Sequence, residues 1–496
     1  MTYNFKHLLY KNPSFIKLKN RSLYMAIYQA LKEAINNKEL PNHFKLPPSR
    51  VLATDLGVSR STIIKAYELL TMEHLLISKQ GSGYYIHGGQ TNADRQSPAH
   101  FIQEASDKLP EISRFGAAFL KHSPFNQEDK VQDSTCFRPG LPPLDLFPTH
   151  HWQKLSSAYW KSAGYAALSY DDSLGTLSLR TNIAHYLKIY RNIHCDAKQI
   201  VVTSGSLHSL SLISMCLVDQ GDSVIVENPT YKKAYSLFKS LHLNILTADL
   251  TETSFDWKSI PLKRSKLCYV IPSNRYPSGN RMTLGRRHEL LNFAVRKGLI
   301  IVEDDYDHEF SNWEDPIPSI FSQDKHNRVV YLGTFNKLMH PSLRLGYMIV
   351  PEFLLDTVAA ISKQTFRFIS PSLQNVMAEF IAKDYLNRHL RKVMRTAKER
   401  KSFFIQYFES LFKTHITLEV NNDGLHVIGI LNKDIQDDLF CAFLKQHNIH
   451  IFPLSSYYVG SERRNGLVMG YCSVNKTQIK EKLDRMFILY KRYIGQ

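Results

Sequence analysis

The sequence is poor in cysteine and has no long hydrophobic run. Its six cysteines are scattered over 496 residues, with no Cys-x-x-Cys pair and no Cys/His cluster at metal-ligand spacing. This pattern excludes a disulfide-stapled scaffold and a structural zinc site, and no metal is expected. No apolar stretch could span a bilayer, and the N-terminal MTYNFKHLLYKNPS lacks the apolar core of a signal peptide. We therefore expect a cytoplasmic protein without a membrane partner.

Acidic residues are in the minority. The chain carries 62 Lys and Arg against 45 Asp and Glu, a formal charge of +17. Residues 1–87 hold twelve Lys and Arg against five Asp and Glu, which is +7 in a short segment. Such an excess favours a polyanionic partner. On charge alone, a basic solvated surface explains it equally well.

The first ninety residues have the pattern of a helix-turn-helix. A first helix is predicted from a possible cap and an apolar stripe of residues four apart, namely Ser22, Leu23, Ile27, Leu31 and Ile35. A short helix is then predicted from about Ser49 to Leu56, ending at Gly57, and Ser59 can cap the next helix. Two helices joined by a short turn with glycine are typical of DNA-binding proteins.

The start of this last helix has side chains suited to DNA. The candidate contacts there are Arg60, Ser61, Thr62 and Lys65. Guanidinium, hydroxyl and N–H groups at a helix N-terminus contact phosphates and base edges in a major groove. The following LLISKQGSGYYI predicts a hairpin turning at residues 81–83, with Lys79 beside the turn, as in a winged helix. The alternative is a small three-helix module with surface arginines.

A known family has this arrangement. The stretch KLPPSRVLATDLGVSRSTIIKAYELLTMEHLLISKQGSGYYI resembles the winged helix of the GntR family of bacterial regulators, with its L-P-S-x-R-x-L-A-x-x-L-G-V-S-R-x-T-V core and G-S-G wing. The resemblance implies that Arg50, Arg60, Thr62 and the wing near Gly81 contact DNA. His74 stands where the family usually has glycine, a change expected to affect the helix end alone.

The rest of the chain divides into a linker and a large domain. After a winged helix-turn-helix domain at residues 15–87, residues 88–134 show no clean period and predict a linker with one short helix around 111–121. From 135 to 496, short apolar runs such as QIVVTSG, DSVIVENP, KLCYVIPS, GLIIVEDDYD and RVVYLGTF alternate with helical stretches. This alternation predicts an α/β fold with an open, mostly parallel sheet, whose ligand site gathers at the strand carboxyl ends.

Polar groups follow the predicted strands at that edge. The candidate ligand-binding residues are Gly205, Ser206, Leu207, Tyr231, Asp304, Tyr306, Thr334, Lys337 and Arg344. Together they offer an amine, a carboxylate for a ring nitrogen, donors for a phosphate and an aromatic face, the set that pyridoxal 5'-phosphate (PLP) requires. Each alone has a simpler explanation: a surface lysine, a helix cap, a turn or core packing.

Residues 137–473 resemble the fold-type I, class I aminotransferases. They most resemble the MocR-type regulators, in which such a domain follows a GntR head. The motifs FRPGLPPLDLFPTHHW, YPSGNRM, EDDYDHEF, YLGTFNKLMHPSLRLGYMIVP and DGLHV match in order. The resemblance implies that Lys337 forms the Schiff base with PLP. It also implies that Tyr170 reaches the phosphate of the neighbouring subunit in a homodimer.

Three sites depart from the aminotransferase pattern. Asn336 replaces the usual serine before the lysine, and Leu207-His208 replace the usual Gln-Gln. Val468 stands where an arginine typically binds the substrate α-carboxylate, which argues against efficient transamination. The candidates for binding an acidic effector are Lys233 and Arg464, which could equally be solvated surface charges.

These features predict a PLP-dependent transcription regulator. It would bind operator double-stranded DNA as a dimer and sense a small-molecule effector, either PLP itself or an amine or amino acid, through Lys337. Two alternatives stay open. One is an active PLP-dependent aminotransferase with an attached DNA-binding domain. The other is a DNA-binding protein whose large domain is a vacant dimerisation scaffold.

Overall fold

The chain forms two compact units, Met1–Glu111 and Ile112–Gln496, called here the head and the body. The computed structural model describes residues 4–19, 22–79, 81–88, 111–123, 137–248, 264–310, 316–420, 424–460 and 463–495. No described helix is both long and apolar enough to cross a membrane.

The head contains helices followed by a hairpin. Its elements are α1 (Phe5–Lys11), α2 (Pro13–Leu18), α3 (Leu23–Asn36), α4 (Ser49–Leu56), α5 (Arg60–Met72), β1 (Leu76–Lys79) and β2 (Gly83–Ile86). Helices α3 to α5 and the antiparallel β1–β2 hairpin confirm the predicted winged helix-turn-helix. Helices α1 and α2 were not predicted, since each spans two turns or fewer and buries only one or two apolar residues, namely Phe5 and Leu9 in α1 and Phe15 in α2.

Two local signals fix the helix-turn-helix. Gly57 ends α4 with φ of +68°, a left-handed conformation that glycine adopts without strain. The Ser59 hydroxyl accepts a hydrogen bond from the Thr62 amide and so caps α5. His74, in place of the family glycine, adopts φ of +59° just beyond the end of α5. The substitution therefore leaves the start of α5 intact.

The body alternates helices and strands. Its helices are α6 (Arg114–His122), α7 (Thr149–Ser162), α8 (Leu177–Arg191), α9 (Ser206–Leu217), α10 (Lys232–Ser240), α11 (Leu284–Lys297), α12 (Ile320–Gln323), α13 (Glu352–Thr365), α14 (Pro371–Ala382), α15 (Tyr385–Phe412), α16 (Asp437–Gln446) and α17 (Lys476–Tyr493). Its strands are β3 (Ile200–Thr203), β4 (Ser223–Glu227), β5 (Asn244–Ala248), β6 (Ser265–Val270), β7 (Ile300–Asp304), β8 (Val329–Thr334), β9 (Gly346–Ile349), β10 (Thr417–Glu419), β11 (His426–Ile430), β12 (Phe452–Pro453) and β13 (Gly466–Gly470).

The main sheet has the order β3-β9-β8-β7-β6-β4-β5 among the described strands. Only β9 runs antiparallel to its neighbours, which confirms the mostly parallel sheet. Its central strands are buried along their whole length, as expected when helices cover both faces. The carboxyl ends of β3, β4, β7 and β8 therefore share one edge. A second, antiparallel sheet has the order β10-β11-β13-β12.

The segment assigned to the linker contains α6. This helix packs on α10, and the Ser240 hydroxyl donates a hydrogen bond to the carbonyl oxygen of Ala118 at 3.5 Å. Residues 114–122 therefore lie in the body, although the sequence analysis began that domain at residue 135. The apolar contact of Ala118 escaped detection because the helix is short and its other apolar residues are exposed. The linker residues 89–110 and 124–134 lie outside the described part of the chain.

A candidate cofactor cleft and a candidate DNA-binding surface

Asp304 ends β7 as a buried carboxylate. The Tyr269 hydroxyl donates a hydrogen bond to its Oδ2 at 2.8 Å. Its Oδ1 is buried and has no hydrogen-bond partner among the described residues. Burial raises the pKa of Asp304 to about 7, although the Tyr269 hydrogen bond opposes the shift. A buried acceptor of this kind suits a protonated ring nitrogen from a ligand.

Lys337 follows β8 at the same edge. Its Nζ donates a hydrogen bond to the carbonyl oxygen of Gly140 at 2.9 Å. A Cβ on Gly140 would lie 2.5 Å from this Nζ, and φ of +71° there also favours glycine. Burial lowers the pKa of Lys337 to about 8, although the Asp307 carboxylate opposes the shift. A larger fraction of such an amine is neutral near pH 8 than of an exposed lysine, which favours nucleophilic attack.

Aromatic rings line the space beside the amine. Nζ of Lys337 is 5.8 Å from the ring centroid of Tyr306. The Tyr276 ring contacts Tyr306 edge-on at 6.4 Å and Tyr231 at 5.9 Å between centroids. His426 packs on Tyr276 at 5.0 Å. These four rings, called here the aromatic wall, include Tyr231 and Tyr306 from the sequence analysis.

The loop between β3 and α9 forms a glycine cradle. Gly205 precedes α9 with φ of +127° and no side chain caps the helix, so the amides of Ser206 and Leu207 belong to its uncapped first turn. A Cβ on Gly205 would lie 2.8 Å from Nδ2 of Asn336. The sequence predicted this cradle for a phosphate, and helix N-termini bind such anions.

Side chains after β8 border the cradle. The Thr334 hydroxyl accepts a hydrogen bond from the Asn336 amide at 3.2 Å. The side-chain oxygen of Asn336 accepts a hydrogen bond from the backbone amide of Leu345 at 3.0 Å. Asn336, which replaces the usual serine, therefore links the residues after β8 to the residues before β9. Arg344 is exposed, and its Nη2 donates to the Ser204 hydroxyl at 3.5 Å. A cation and a hydroxyl therefore stand beside Gly205.

Two further cations act on the amine. Lys233 and Arg138 both lower the pKa of Lys337, after burial as the main cause. Lys233 was predicted as an effector contact, whereas Arg138, in the FRPG motif, was missed. Its position could not be read from the sequence because about two hundred residues separate it from Lys337. Both cations favour a ligand with a carboxylate near the amine.

Other predicted residues lie elsewhere on the body. Tyr170 is 77% exposed, and its ring packs on Phe368 and on the Arg367 guanidinium rather than in the cleft of its own chain. Arg464 forms an ion pair with Glu419, with Nη1 and Oε2 3.1 Å apart, so the structure does not bring it to Lys337. Val468 on β13 is buried in an apolar cluster.

The head presents the candidate DNA contacts on its surface. Arg60 is exposed, and its Nε donates to the Ser49 hydroxyl at 3.3 Å, which holds the start of α5 against α4. Lys65 lies over the Tyr24 ring at 5.6 Å. The remaining candidates are exposed or half-buried on the same unit, namely Arg50, Ser61, Thr62, Lys79 and Gly81. The hydroxyls of Ser61 and Thr62 both contact the capping hydroxyl of Ser59, at 2.8 and 2.7 Å.

Comparisons with known proteins match both units. The family of class I and II aminotransferases matches residues 145–486, and the gntR family of bacterial regulatory proteins matches residues 23–86. The probable rhizopine catabolism regulatory protein MocR of Rhizobium meliloti is 28% identical over 464 residues, which cover 94% of this chain and 93% of that protein. The uncharacterized HTH-type transcriptional regulator YdeL of Bacillus subtilis is 28% identical, covering 95% and 97%.

A solved structure supports the fold of the body. LysN, an α-aminoadipate aminotransferase from Thermus thermophilus solved with N-(5'-phosphopyridoxyl)-L-leucine, superposes with a TM-score of 0.69 at 22% identity. The match covers 77% of this chain and 98% of LysN. The protein thus joins a winged-helix head to a body with the fold of PLP-dependent aminotransferases. It belongs to the class I and II aminotransferase family, and its two-part organisation is that of the MocR-type subgroup of the GntR family.

The family implies PLP, and the residues of the cleft fit it. The unpartnered Oδ1 of Asp304 can accept a hydrogen bond from the pyridinium nitrogen. The glycine cradle at Gly205 leaves room that a side chain would fill, beside Arg344. Lys337 presents its amine between these two sites along the same sheet edge, because β8 lies next to β7 and is separated from β3 by β9 alone.

Proposed function

We propose that the protein is a transcription regulator whose body binds PLP and an amine effector. The buried, unpartnered Oδ1 of Asp304 carries this proposal, since an orphaned acceptor costs free energy unless a ligand satisfies it. A vacant dimerisation scaffold would have no need of that acceptor. The same chain carries a GntR-type head, which no aminotransferase chemistry requires.

The cleft residues have separate roles toward the cofactor. When bound, PLP supplies an aldehyde that reacts with amines. Asp304 holds a proton at the ring nitrogen, and Tyr231 covers the ring. The amides of Ser206 and Leu207, with Arg344 nearby, neutralise the phosphate.

Two more groups complete this assignment. Thr334 borders the phosphate cradle, and Tyr306 faces the phenolic oxygen of the ring. Lys337 provides the amine that holds the aldehyde. Its lowered pKa leaves part of the population neutral, so the lone pair is available for bonding near pH 8.

The effector we propose is an amine that carries a carboxylate. Such a molecule would compete with Lys337 for the aldehyde, and Lys233 and Arg138 would bind its carboxylate. Val468 on β13 stands where aminotransferases typically have the arginine that binds the α-carboxylate, and it carries no charge. Lys233 and Arg138 would supply that positive charge instead. The alternative effector is PLP itself, which would bind at Lys337.

The head would read operator DNA as part of a homodimer. Arg50, Arg60, Ser61 and Thr62 would reach the major groove, with Lys65 on the phosphates. Lys79 and Gly81 would place the wing against the backbone. Dimerisation pairs two half-sites and places Tyr170 of each subunit toward the phosphate of the other.

The proposal is tested by following DNA binding and cofactor absorbance together. The PLP-loaded protein is titrated with a panel of amines, half of them bearing a carboxylate, while its affinity for a DNA fragment selected from a random pool is recorded. We expect carboxylated amines to change both signals, and Lys233→Met and Arg138→Met to abolish the response. Arg464→Met, whose cation is already paired with Glu419, serves as the matched control.

Two outcomes would favour the other functions. Steady conversion of the amine to its oxo acid would identify an active aminotransferase with an attached DNA-binding domain. That alternative stays open because Lys337 and Asp304 are both in place at the sheet edge. No absorbance and no response to any amine would indicate a vacant scaffold.

A further inference from the structure

A second cavity lies in the body, lined by residues outside the set assigned to the cofactor. It has a volume of about 370 Å³, opens to solvent and is bordered by the end of α6, the first half of α10, residues 455–460 and Arg463. These elements all belong to the body, so the cavity is internal to one compact unit. A space of this size takes a small molecule rather than a strand of nucleic acid.

The cavity is lined by cations from all three elements. Lys121 comes from α6, Lys232 from α10, and Arg463 from the chain beyond β12, and all three are also exposed to solvent. None of the described residues that line it is acidic. Lys121 and Lys232 form no ion pair or hydrogen bond within the described part of the chain. Among the described residues of the lining these charges have no acidic counter-ion, so they repel one another, and an anion would relieve that repulsion.

His122 also lines the cavity but is not counted among its cations. Burial lowers the pKa of His122, and Lys121, Lys239 and His242 lower it further, so the neutral imidazole is favoured. The nearby carboxylate of Asp437 is buried and does not line the cavity. It already accepts hydrogen bonds from the amide and hydroxyl of Ser455 at 2.8 and 2.7 Å. It also accepts one from the Gly466 amide at 3.1 Å. Both of its oxygens are therefore engaged by groups other than the lysines.

Hydroxyl groups complete the lining. Tyr235 and Ser236 on α10 and Ser456 opposite them face the same space as the cations. The Ser456 hydroxyl donates to the carbonyl oxygen of Pro453 at 2.8 Å and keeps its own acceptor capacity. Lysine, arginine and hydroxyl groups from three parts of the chain offer donors to several oxygens of one anion, and a phosphate has more such oxygens and more charge than a carboxylate.

We propose that this cavity binds the phosphate group of a small anion, either inorganic phosphate or a phosphate monoester. The bound anion would bridge Lys121 on α6 to Lys232 on α10 and Arg463. Tyr457, which also lines the cavity, contacts the aromatic wall through its hydroxyl, 3.0 Å from that of Tyr276.

The test is calorimetric titration of the full-length, cofactor-free protein with inorganic phosphate and, separately, with glycerol 3-phosphate, at constant ionic strength. The cofactor cradle also binds phosphate in our account, so Arg344→Met removes that contribution. We expect Arg344→Met protein to bind phosphate still, and the double variant Lys121→Met/Lys232→Met to lose about ten-fold or more in affinity at the cavity. Lys398→Met, an exposed lysine on α15, is the matched control and should bind normally.

The results separate this proposal from the function proposed above. Binding lost in Arg344→Met and unchanged in the double variant would overturn the cavity site while supporting the cofactor cradle. Binding of neither probe would also overturn it. Preference for glycerol 3-phosphate would identify an organic phosphate as the ligand, and preference for inorganic phosphate the free ion. A thermal melt in phosphate, in which the folded double variant gains no stability, gives a second readout.

Discussion

The carbonyl oxygen of Gly140 accepts a hydrogen bond from Nζ of Lys337 at 2.9 Å, across 197 positions of sequence. Gly140 lies in the FRPG motif and Lys337 follows β8. The contact requires glycine, because a Cβ would lie 2.5 Å from the amine. A backbone acceptor at this distance fixes where the lysine points before any ligand arrives, and such preorganisation lowers the cost of binding.

Gly140→Ala should therefore weaken cofactor binding while leaving the fold intact. The added Cβ would displace Nζ from the position set by the Gly140 carbonyl, so we expect affinity for PLP to fall about ten-fold or more. The left-handed conformation also strains alanine by roughly 1–2 kcal/mol, but this strain is present with and without PLP and lowers only the stability of the folded protein. Absorbance titration measures the effect. Gly285→Ala is the control: Gly285 lies in α11 with open space around it, and its substitution should leave PLP affinity unchanged. Equal affinity in the two variants would contradict the role of Gly140.

Asp304 should make the stability of the cofactor-free protein depend on pH. Its folded-state pKa of about 7 lies above the ordinary value of 3.8, so the folded chain binds the proton more tightly than the unfolded chain. The resulting stabilisation is complete below the ordinary pKa and is lost as pH rises through the folded pKa. Between about pH 6 and about pH 8 we expect a loss of roughly 1 kcal/mol in the free energy of unfolding from this group.

Urea denaturation at the two pH values measures this loss. Asp304→Asn should remove it, because the amide does not titrate, and should also weaken PLP binding. The informative quantity is the difference between wild type and variant, since other groups titrate in both. A variant whose stability changes with pH as much as the wild type would show that Asp304 is ionised in the folded, cofactor-free protein.

Arg60→Ala should weaken DNA binding without affecting the cofactor. An arginine that contacts a base edge contributes about 1–3 kcal/mol, so affinity for a selected DNA fragment should fall roughly 10- to 100-fold. Fluorescence anisotropy at several salt concentrations measures it. Lys6→Ala, an exposed cation on α1, is the matched control within the head. If both variants bind DNA equally well, α5 does not read the groove.

Tyr170 should act across a dimer. Tyr170→Ala and Lys337→Ala proteins should each lose trapped cofactor, and a hybrid of the two chains should recover about half, because the Lys337→Ala chain donates its Tyr170 to the intact lysine of the other. Co-expression with different tags gives the hybrid, and its visible absorbance reports the recovery. A hybrid as colourless as its parents would show that Tyr170 acts on the Lys337 of its own chain and not across the dimer. A Tyr170→Ala protein that keeps its colour would exclude a role for Tyr170 in holding the cofactor.

Local signals in the sequence predicted the helix-turn-helix well. A glycine stop at Gly57 and a serine cap at Ser59 act within a few residues, and both occur as expected. The strand ends carrying Asp304 and Lys337 were predictable for a similar reason, since parallel strands align their carboxyl ends. Helices α1 and α2 were missed because both are short and are buried by other helices of the head, α1 mainly by α2 and α2 mainly by α3.

Contacts between distant segments could not be predicted. Tyr276 and His426 lie in the quoted motifs YPSGNRM and DGLHV, but the motifs do not show that the two rings pack on each other, because about 150 positions separate them. Arg464 had the charge of an effector contact, but its ion pair with Glu419, 45 positions away, could not be predicted from the sequence. Gly140 was quoted within a motif, yet its need for glycine appears only once Lys337 lies against it.

The most direct test concerns the amine of Lys337. The purified protein is saturated with PLP, reduced with borohydride, digested and analysed by peptide mass spectrometry, in parallel with Lys337→Arg, which keeps the charge. The account predicts a phosphopyridoxyl group on Lys337 in the wild type, and in the variant neither this adduct nor the visible absorbance, with its fold and DNA binding retained. An unmodified Lys337 in fully saturated protein, or the same adduct yield at another lysine in both proteins, would contradict it.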